Sequence, residues 1–298
     1  MRFLIAGSSG FLGTRLSERL AHQGHDVTAL VRRPPGAGEV RWDPYAAGLG
    51  PEVVDDHDVV VNLAGSPTAG NPHSRKWAEN LMHSRVTTTR VLAEAIAASV
   101  STPTFIAGNG ISIYGDHGSE RLDEDAESRG DALLTRVSRA WQEATEPAVL
   151  AGARVCVLRT SPVYDRRSQP LAALRLLFKA GLGGPLGDGS QYVPMISARD
   201  WVDAVIHLAE SETASGPFNL CCAKAPTNQE LTHELARQVS RPAFFRVPAF
   251  VLRPAAGQMA NELLGSINCV PAALVESGFS HRDPDVTAVL REGLDPSR

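Results

Sequence analysis

The chain has 298 residues, 43% of them hydrophobic and 21% charged, an ordinary balance for one large globular domain or a domain with a small appendage. A formal net charge of −4 leaves no basic footprint for nucleic acid, and the first residues run straight into an apolar strand with neither a basic leader nor a long apolar span, so no membrane is expected and a cytoplasmic location is. The four cysteines (Cys156, Cys221, Cys222, Cys269) form no CxxC pair, no HExxH occurs, and His22 and His25 lack ligand spacing, so four buried reduced thiols are expected and a metal is not.

In chain order, residues 2–6 form a short apolar run that ends in GSSGFLG, which reads as a buried strand followed by a turn. Leu12, Leu16 and Leu20 then recur every four positions, with Arg15, Glu18, Arg19 and His22 elsewhere on the wheel, which predicts an amphipathic helix over 11–23 closed by Gly24. Residues 26–31 complete a βαβ unit. A turn-rich stretch follows, with a short strand near 40–42 and another at 58–62. A long helix is predicted over 73–99, with Trp77, Leu81, Thr88, Val91 and Ala95 on one face. Strands at 104–107 and 154–158 flank a helix near 131–150 that carries Leu134, Val137, Trp141 and Ala144 inward. The alternation predicts an α/β fold, a Rossmann-like doubly wound parallel sheet, over residues 1–160. Beyond that point come the glycine-rich stretch 181–197, Asp200 as the expected N-cap of a helix over 201–209, a strand near 217–221 returning to the sheet, and a proline-punctuated remainder. Residues 161–298 are therefore expected to form a small C-terminal substrate lobe over the carboxyl ends of the strands.

A pyrophosphate needs backbone N–H groups at close range and no side chain in the way. Gly7 permits the tight turn, Gly10 the close approach, and Gly13 the packing of helix on strand, while the helix N-terminus supplies partial positive charge. A glycine pattern alone is weak; here it follows a strand, opens a helix and lies inside a βαβ unit. The second strand ends in Ala29-Leu30-Val31 and then Arg32-Arg33, with no carboxylate until Glu39. An NAD site usually places an acidic residue there, whereas two guanidiniums suit a 2′-phosphate, so NADP(H) is the expected cofactor, NAD or a merely solvated basic loop being the other readings.

GSSGFLG, VVVNLAG (59–65) and RVTTTRVL (85–92) resemble the extended short-chain dehydrogenase/reductases. RWDP (41–44), KAGLGGPLGDGSQ (179–191) and the tail RPAFFRVPAF…VPAALVESGF are similar to its atypical "epimerase family" subgroup, which carries a C-terminal domain of unknown function. The resemblance spans nearly the whole chain. It implies NADP(H) contacts from the loop Gly7, Ser8, Ser9, Gly10, Phe11, Leu12 and Gly13, from Arg32 with Arg33, from Leu63, Ala64 and Gly65, and from Asn80, Arg85 and Val163.

A working member of that superfamily uses a Tyr and a Lys four residues later, the Lys lowering the Tyr pKa so that the phenol exchanges a proton with substrate. The only lysines here are Lys76, Lys179 and Lys224, preceded at that spacing by Pro72, Arg175 and Leu220, so no such pair exists. Leu134 and Ser138 stand on the helix where it should fall, and Gly110 at the superfamily's Ser position. The candidate substitutes are Tyr114, Ser112 and Asn109, at the end of the 104–107 strand; an aromatic followed by Gly also reads as a plug at that strand's end. Asp116 and His117, on a polar turn, read as solvated. Three stretches depart from the subgroup's pattern on the expected pocket side: NGISIYG where it has SAVGYYG, RTSPVYD for RTGVVLG and PMISA for PWIHI. Substrate identity therefore does not transfer. The sequence predicts an NADP(H)-dependent oxidoreductase or epimerase-like enzyme for a small polar or carbonyl-bearing molecule, or else a catalytically inactive NADP(H)-binding sensor.

Overall fold

In the first strand, β1 (Arg2–Ala6), every second residue faces a different helical layer, and both layers bury it. Phe3 and Ile5 pack with Leu16 and Leu20 on one side, Leu4 and Ala6 with Leu92 and Ile96 on the other, all fully buried. This double burial is why the run is continuously apolar rather than alternating. The computed structural model describes residues 1–295.

The following strands are β2 (Asp26–Val31), β3 (Glu39–Arg41), β4 (Val59–Asn62), β5 (Thr104–Gly110), β6 (Val155–Thr160) and β7 (Gly216–Leu220). They form one seven-stranded parallel sheet in the order β7-β6-β5-β4-β1-β2-β3. Helix α1 (Phe11–His22) lies on one face; α2 (Arg75–Ala98) lies on the other, its N-terminus capped by Ser74 Oγ accepting from Trp77 N at 3.2 Å. The chain leaves β1 toward β2 and then returns to its other side with β4. That reversal opens a crevice at the carboxyl ends of β1 and β4, where ligands of such sheets bind.

Several expectations need correction. Strand β5 continues three residues past 107, because Gly108, Asn109 and Gly110 keep parallel register with Leu158, Arg159 and Thr160. The single helix expected over 131–150 is two: α3 (Leu133–Glu143), then a separate turn of helix over Glu146–Leu150. The break falls where Thr145 turns its hydroxyl onto the Gln142 carbonyl at 2.8 Å and Pro147 lacks an N–H. The next long helix, α4 (Ala198–Glu210), is capped by Ser197 rather than Asp200. Asp200 lies fully buried in its first turn, where its carboxylate accepts from the backbone N–H of Arg282 (3.0 Å) and Asp283 (2.8 Å). It thereby ties the C-terminal tail to the sheet layer.

Helix α4 packs with α1 against the sheet, with Trp201 almost wholly buried beside Val205 and Leu208, so both α4 and β7 belong to the Rossmann layer. Burying each such large side chain contributes about 1.5–3 kcal/mol. The rest of the C-terminal half has its own core, in which Leu171, Phe178, Leu231, Leu235, Val289 and Leu290 come together. All four cysteines are buried with free thiols, and burial raises the Cys156 thiol to about 11. Among the described residues no helix is long and apolar enough to cross a membrane.

Candidate functional site

The crevice between β1 and β4 is a cleft of ≈ 650 Å³, within the roughly 300–1,000 Å³ usual for small-molecule sites. Gly7, Ser8, Ser9 and Gly10 form its floor, Leu63, Ala64 and Gly65 one wall, and Arg32 and Arg33 the far end. The glycines are dictated by local geometry. Gly7 has φ +85°, and a Cβ there would stand 2.7 Å from the carbonyl carbon of Leu63. A Cβ on Gly13 would stand 2.1 Å from the Gly7 carbonyl oxygen, so only glycine lets α1 sit so close under the turn. Gly10, the N-cap of α1, has no side chain to satisfy the first N–H groups, and no acidic residue occupies that turn. These free donors and the helix dipole fit a pyrophosphate.

At the far end the two arginines part company. The Arg33 guanidinium grips Glu39 through Nη1–Oε2 (2.7 Å) and Nη2–Oε1 (2.5 Å), and Glu39 also accepts from Gly36 N at 2.7 Å. Both groups are held in their charged forms by this pairing. Arg33, expected to assist Arg32 at a phosphate, thus has its fork engaged by a carboxylate. Arg32 is exposed on the cleft and makes no hydrogen bond or ion pair among the described residues. Trp42 and Tyr45 also line the cleft, as do Ser84 and Thr88. Sequence reasoning missed these four; the RWDP motif just past the short third strand was the available signal for Trp42.

Other expected contacts lie outside the cleft. Phe11 and Leu12 pack against the core beneath the turn. Asn80 is exposed on α2 and offers its carbonyl to Ser66 Oγ at 3.3 Å. Arg85 donates to the Ser66 carbonyl (3.1 Å), the Leu81 carbonyl (3.2 Å) and Thr68 Oγ1 (3.2 Å), bracing the 65–68 loop from behind; burial pulls its pKa to about 10. Val163 is buried in the core beside Trp201.

The proposed donors fare differently. Tyr114 is 1% exposed; its hydroxyl accepts from Arg159 Nη1 at 2.7 Å and donates to Asn219 Oδ1 at 2.7 Å. Burial pushes the phenol upward, against the stabilising Arg159, so it is not a base at neutral pH. Tyr114 is therefore a strut among β5, β6 and β7, and its expected catalytic role is withdrawn. Asn109 is buried as well, donating to the Ser138 carbonyl at 3.1 Å and accepting from Gly110 N at 2.6 Å. Nor is His117 solvated: it is buried, with Nε2–H donating to the carbonyls of Tyr114 and Glu127, both at 3.1 Å. Asp116 closes the same turn, accepting from Gly118 N at 3.0 Å and Ser266 N at 3.2 Å. Ser112 alone stays half-buried with its hydroxyl directed at a carboxylate, that of Glu262, at 2.9 Å.

A measurable consequence concerns Tyr114→Phe. Removing the hydroxyl strips one partner each from the buried Arg159 and Asn219, a loss of about 1.5–3 kcal/mol for bonds to a charged group. Denaturant unfolding should show that loss, while dinucleotide affinity stays at the native value. A stable variant with altered dinucleotide binding would place the phenol in the site after all.

The model of the NAD dependent epimerase/dehydratase family matches residues 3–221, and that of a domain of unknown function (DUF1731) matches residues 247–292. The epimerase family protein ML0860 of Mycobacterium leprae (strain TN) is 36% identical over 277 residues, covering 92% of this chain and 90% of its own. The epimerase family protein SDR39U1 of Homo sapiens is 32% identical over 300 residues, with 98% and 99% covered. The crystal structure of human SDR39U1 (isoform2) with NADPH matches with a TM-score of 0.87 at 29% identity, over 98% of this chain and 99% of that one.

Proposed function

The chain belongs to the NAD dependent epimerase/dehydratase family, and from that premise we propose that it is an NADP(H)-dependent oxidoreductase or epimerase-like enzyme for a small polar or carbonyl-bearing substrate. One observation carries the cofactor choice. The carboxylate that would bond a ribose hydroxyl, Glu39, is taken up by Arg33, and the free charge left on the cleft is the Arg32 guanidinium. A cation with an open fork there recognises a 2′-phosphate. The solved human relative with NADPH supports the same reading.

The dinucleotide, when bound, supplies or accepts a hydride. The chain's own work is to hold the pyrophosphate on the Gly7–Gly10 floor, to fix the adenosine end between Arg32 and the aromatic wall, and to manage a proton at the substrate oxygen. Calorimetric titration tests the reading: NADPH should bind at least about tenfold more tightly than NADH, about 1.4 kcal/mol. Equal affinities would refute the assignment.

A second reading, a catalytically inactive NADP(H)-binding sensor, is supported by the absence of any Tyr with a Lys four residues later; where the resemblance expects that pair stand half-buried Leu134 and buried Ser138. It requires tight NADPH binding with no proton-handling group nearby.

A further inference from the structure

The C-terminal segment does not simply cover the fold; it delivers a carboxyl group to the end of β5. Gln258 N donates to the Pro72 carbonyl at 3.1 Å, which rests the segment on the loop leading into α2. The next turn of helix, Ala260–Leu264, then carries Glu262 inward. Its Oε2 accepts from Ser112 Oγ at 2.9 Å and its Oε1 from the backbone N–H of Leu134 at 3.3 Å. Ser112 stands just past β5, and Leu134 in the first turn of α3. A carboxyl from 128 residues beyond Leu134 thus joins the end of β5 to the N-terminal turn of α3.

Among the described residues no cation pairs with Glu262, and burial, opposed by the Ser112 and Leu134 bonds, raises its pKa. It borders a cavity of ≈ 240 Å³ that Asp116, Arg129, Asp131 and Arg253 also line.

We propose that Ser112 and Glu262 form the proton relay of this site, Ser112 Oγ meeting the substrate oxygen and Glu262 serving as the proton reservoir behind it. The inference rests on the NADP(H)-dependent reading above. In the reducing direction the dinucleotide is oxidised and the carbonyl carbon reduced. The substrate oxygen takes the Ser112 hydroxyl proton as its O–H bond forms, and Ser112 Oγ takes the proton from the Glu262 carboxyl. That O–H bond breaks to leave a carboxylate, which solvent reprotonates. Burial shifts the Glu262 carboxyl upward, the direction a proton donor needs.

The test uses the full chain with NADPH and diacetyl as a small carbonyl probe, comparing native protein, E262Q and S112A. E262Q preserves the acceptor for Leu134 N but cannot donate an acidic proton, and general acid catalysis typically contributes 10²–10⁴-fold. Turnover in E262Q should fall by at least about 100-fold, with thermal stability and NADPH affinity unchanged. Native turnover should decline as pH rises through the Glu262 pKa, E262Q should lose that limb, and Glu262→Asp should recover part of the rate. Infrared spectra of native protein at neutral pH should show a protonated-carboxyl band that E262Q lacks. Unchanged turnover in E262Q or S112A, or the absence of that band, would each overturn the relay, whereas native protein that binds NADPH but leaves diacetyl untouched would overturn the enzyme reading on which the relay rests. Failure to bind NADPH would instead overturn the cofactor reading.

Discussion

Gly10→Val is expected to abolish dinucleotide binding while leaving a folded protein. The choice of position follows from the three glycines' different surroundings. At Gly7 a side chain meets both a left-handed backbone and the Leu63 carbonyl carbon at 2.7 Å; at Gly13 it meets the Gly7 carbonyl oxygen at 2.1 Å. Substitution at either disturbs the turn itself and confounds binding with folding. Gly10 is exposed, with φ −75° and ψ 167°, a conformation any residue adopts, and its nearest neighbour to a new Cβ is the Gly7 oxygen at 3.3 Å. That contact is tight but relieved by a shift of a few tenths of an ångström, so the stability cost should stay near about 1 kcal/mol. The isopropyl group, however, projects into the floor of the cleft where a pyrophosphate must approach the backbone. Affinity for NADPH should fall by at least about 100-fold, close to 3 kcal/mol. Calorimetry on the variant, with a denaturation curve beside it, reads both quantities. Native-like affinity in a folded Gly10→Val protein would mean the cofactor lies elsewhere.

Arg32→Ala is expected to erase the preference for NADPH over NADH, and Arg33→Ala to leave most of it intact. The asymmetry comes from Glu39. Its two bonds to Arg33 occupy that guanidinium, and the exposed pair is worth little to stability, whereas the Arg32 fork is open to the cleft. A hydrogen bond to a charged group contributes about 1.5–3 kcal/mol, so Arg32→Ala should weaken NADPH roughly 10- to 150-fold with NADH nearly unchanged. Raising ionic strength should erode the NADPH preference of the native protein, because an exposed charge pair is screened. If Arg33→Ala proves the more damaging, then Glu39 releases Arg33 when the cofactor arrives, and the assignment reverses.

These expectations draw on parts of the chain of very different legibility. The strand–turn–helix order, the glycine spacing of 7–13 and the two arginines closing β2 lie within one βαβ unit, so their relative placement follows from local geometry. Periodicity also located the faces of α1 and the apolar runs of the sheet, since burial on two sides leaves an uninterrupted hydrophobic stretch. The break in the 131–150 helix was also local, at Thr145 and Pro147, but apolar spacing carried through it.

What only the tertiary structure decided is which polar groups consume one another. Parallel register sets Ala29 beside Glu39, and that pairing brings Glu39 within reach of Arg33. Tyr114 looks like a donor in sequence because its partners, Arg159 and Asn219, arrive from 45 and 105 residues away. Glu262 could not be seen at all, since nothing in a helical pentapeptide marks it as bound for Ser112, 150 positions earlier. Period and turn chemistry encode where a segment must be buried. A hydrogen bond between side chains depends on strand register and on how the loops close, and those are fixed only when the whole chain packs.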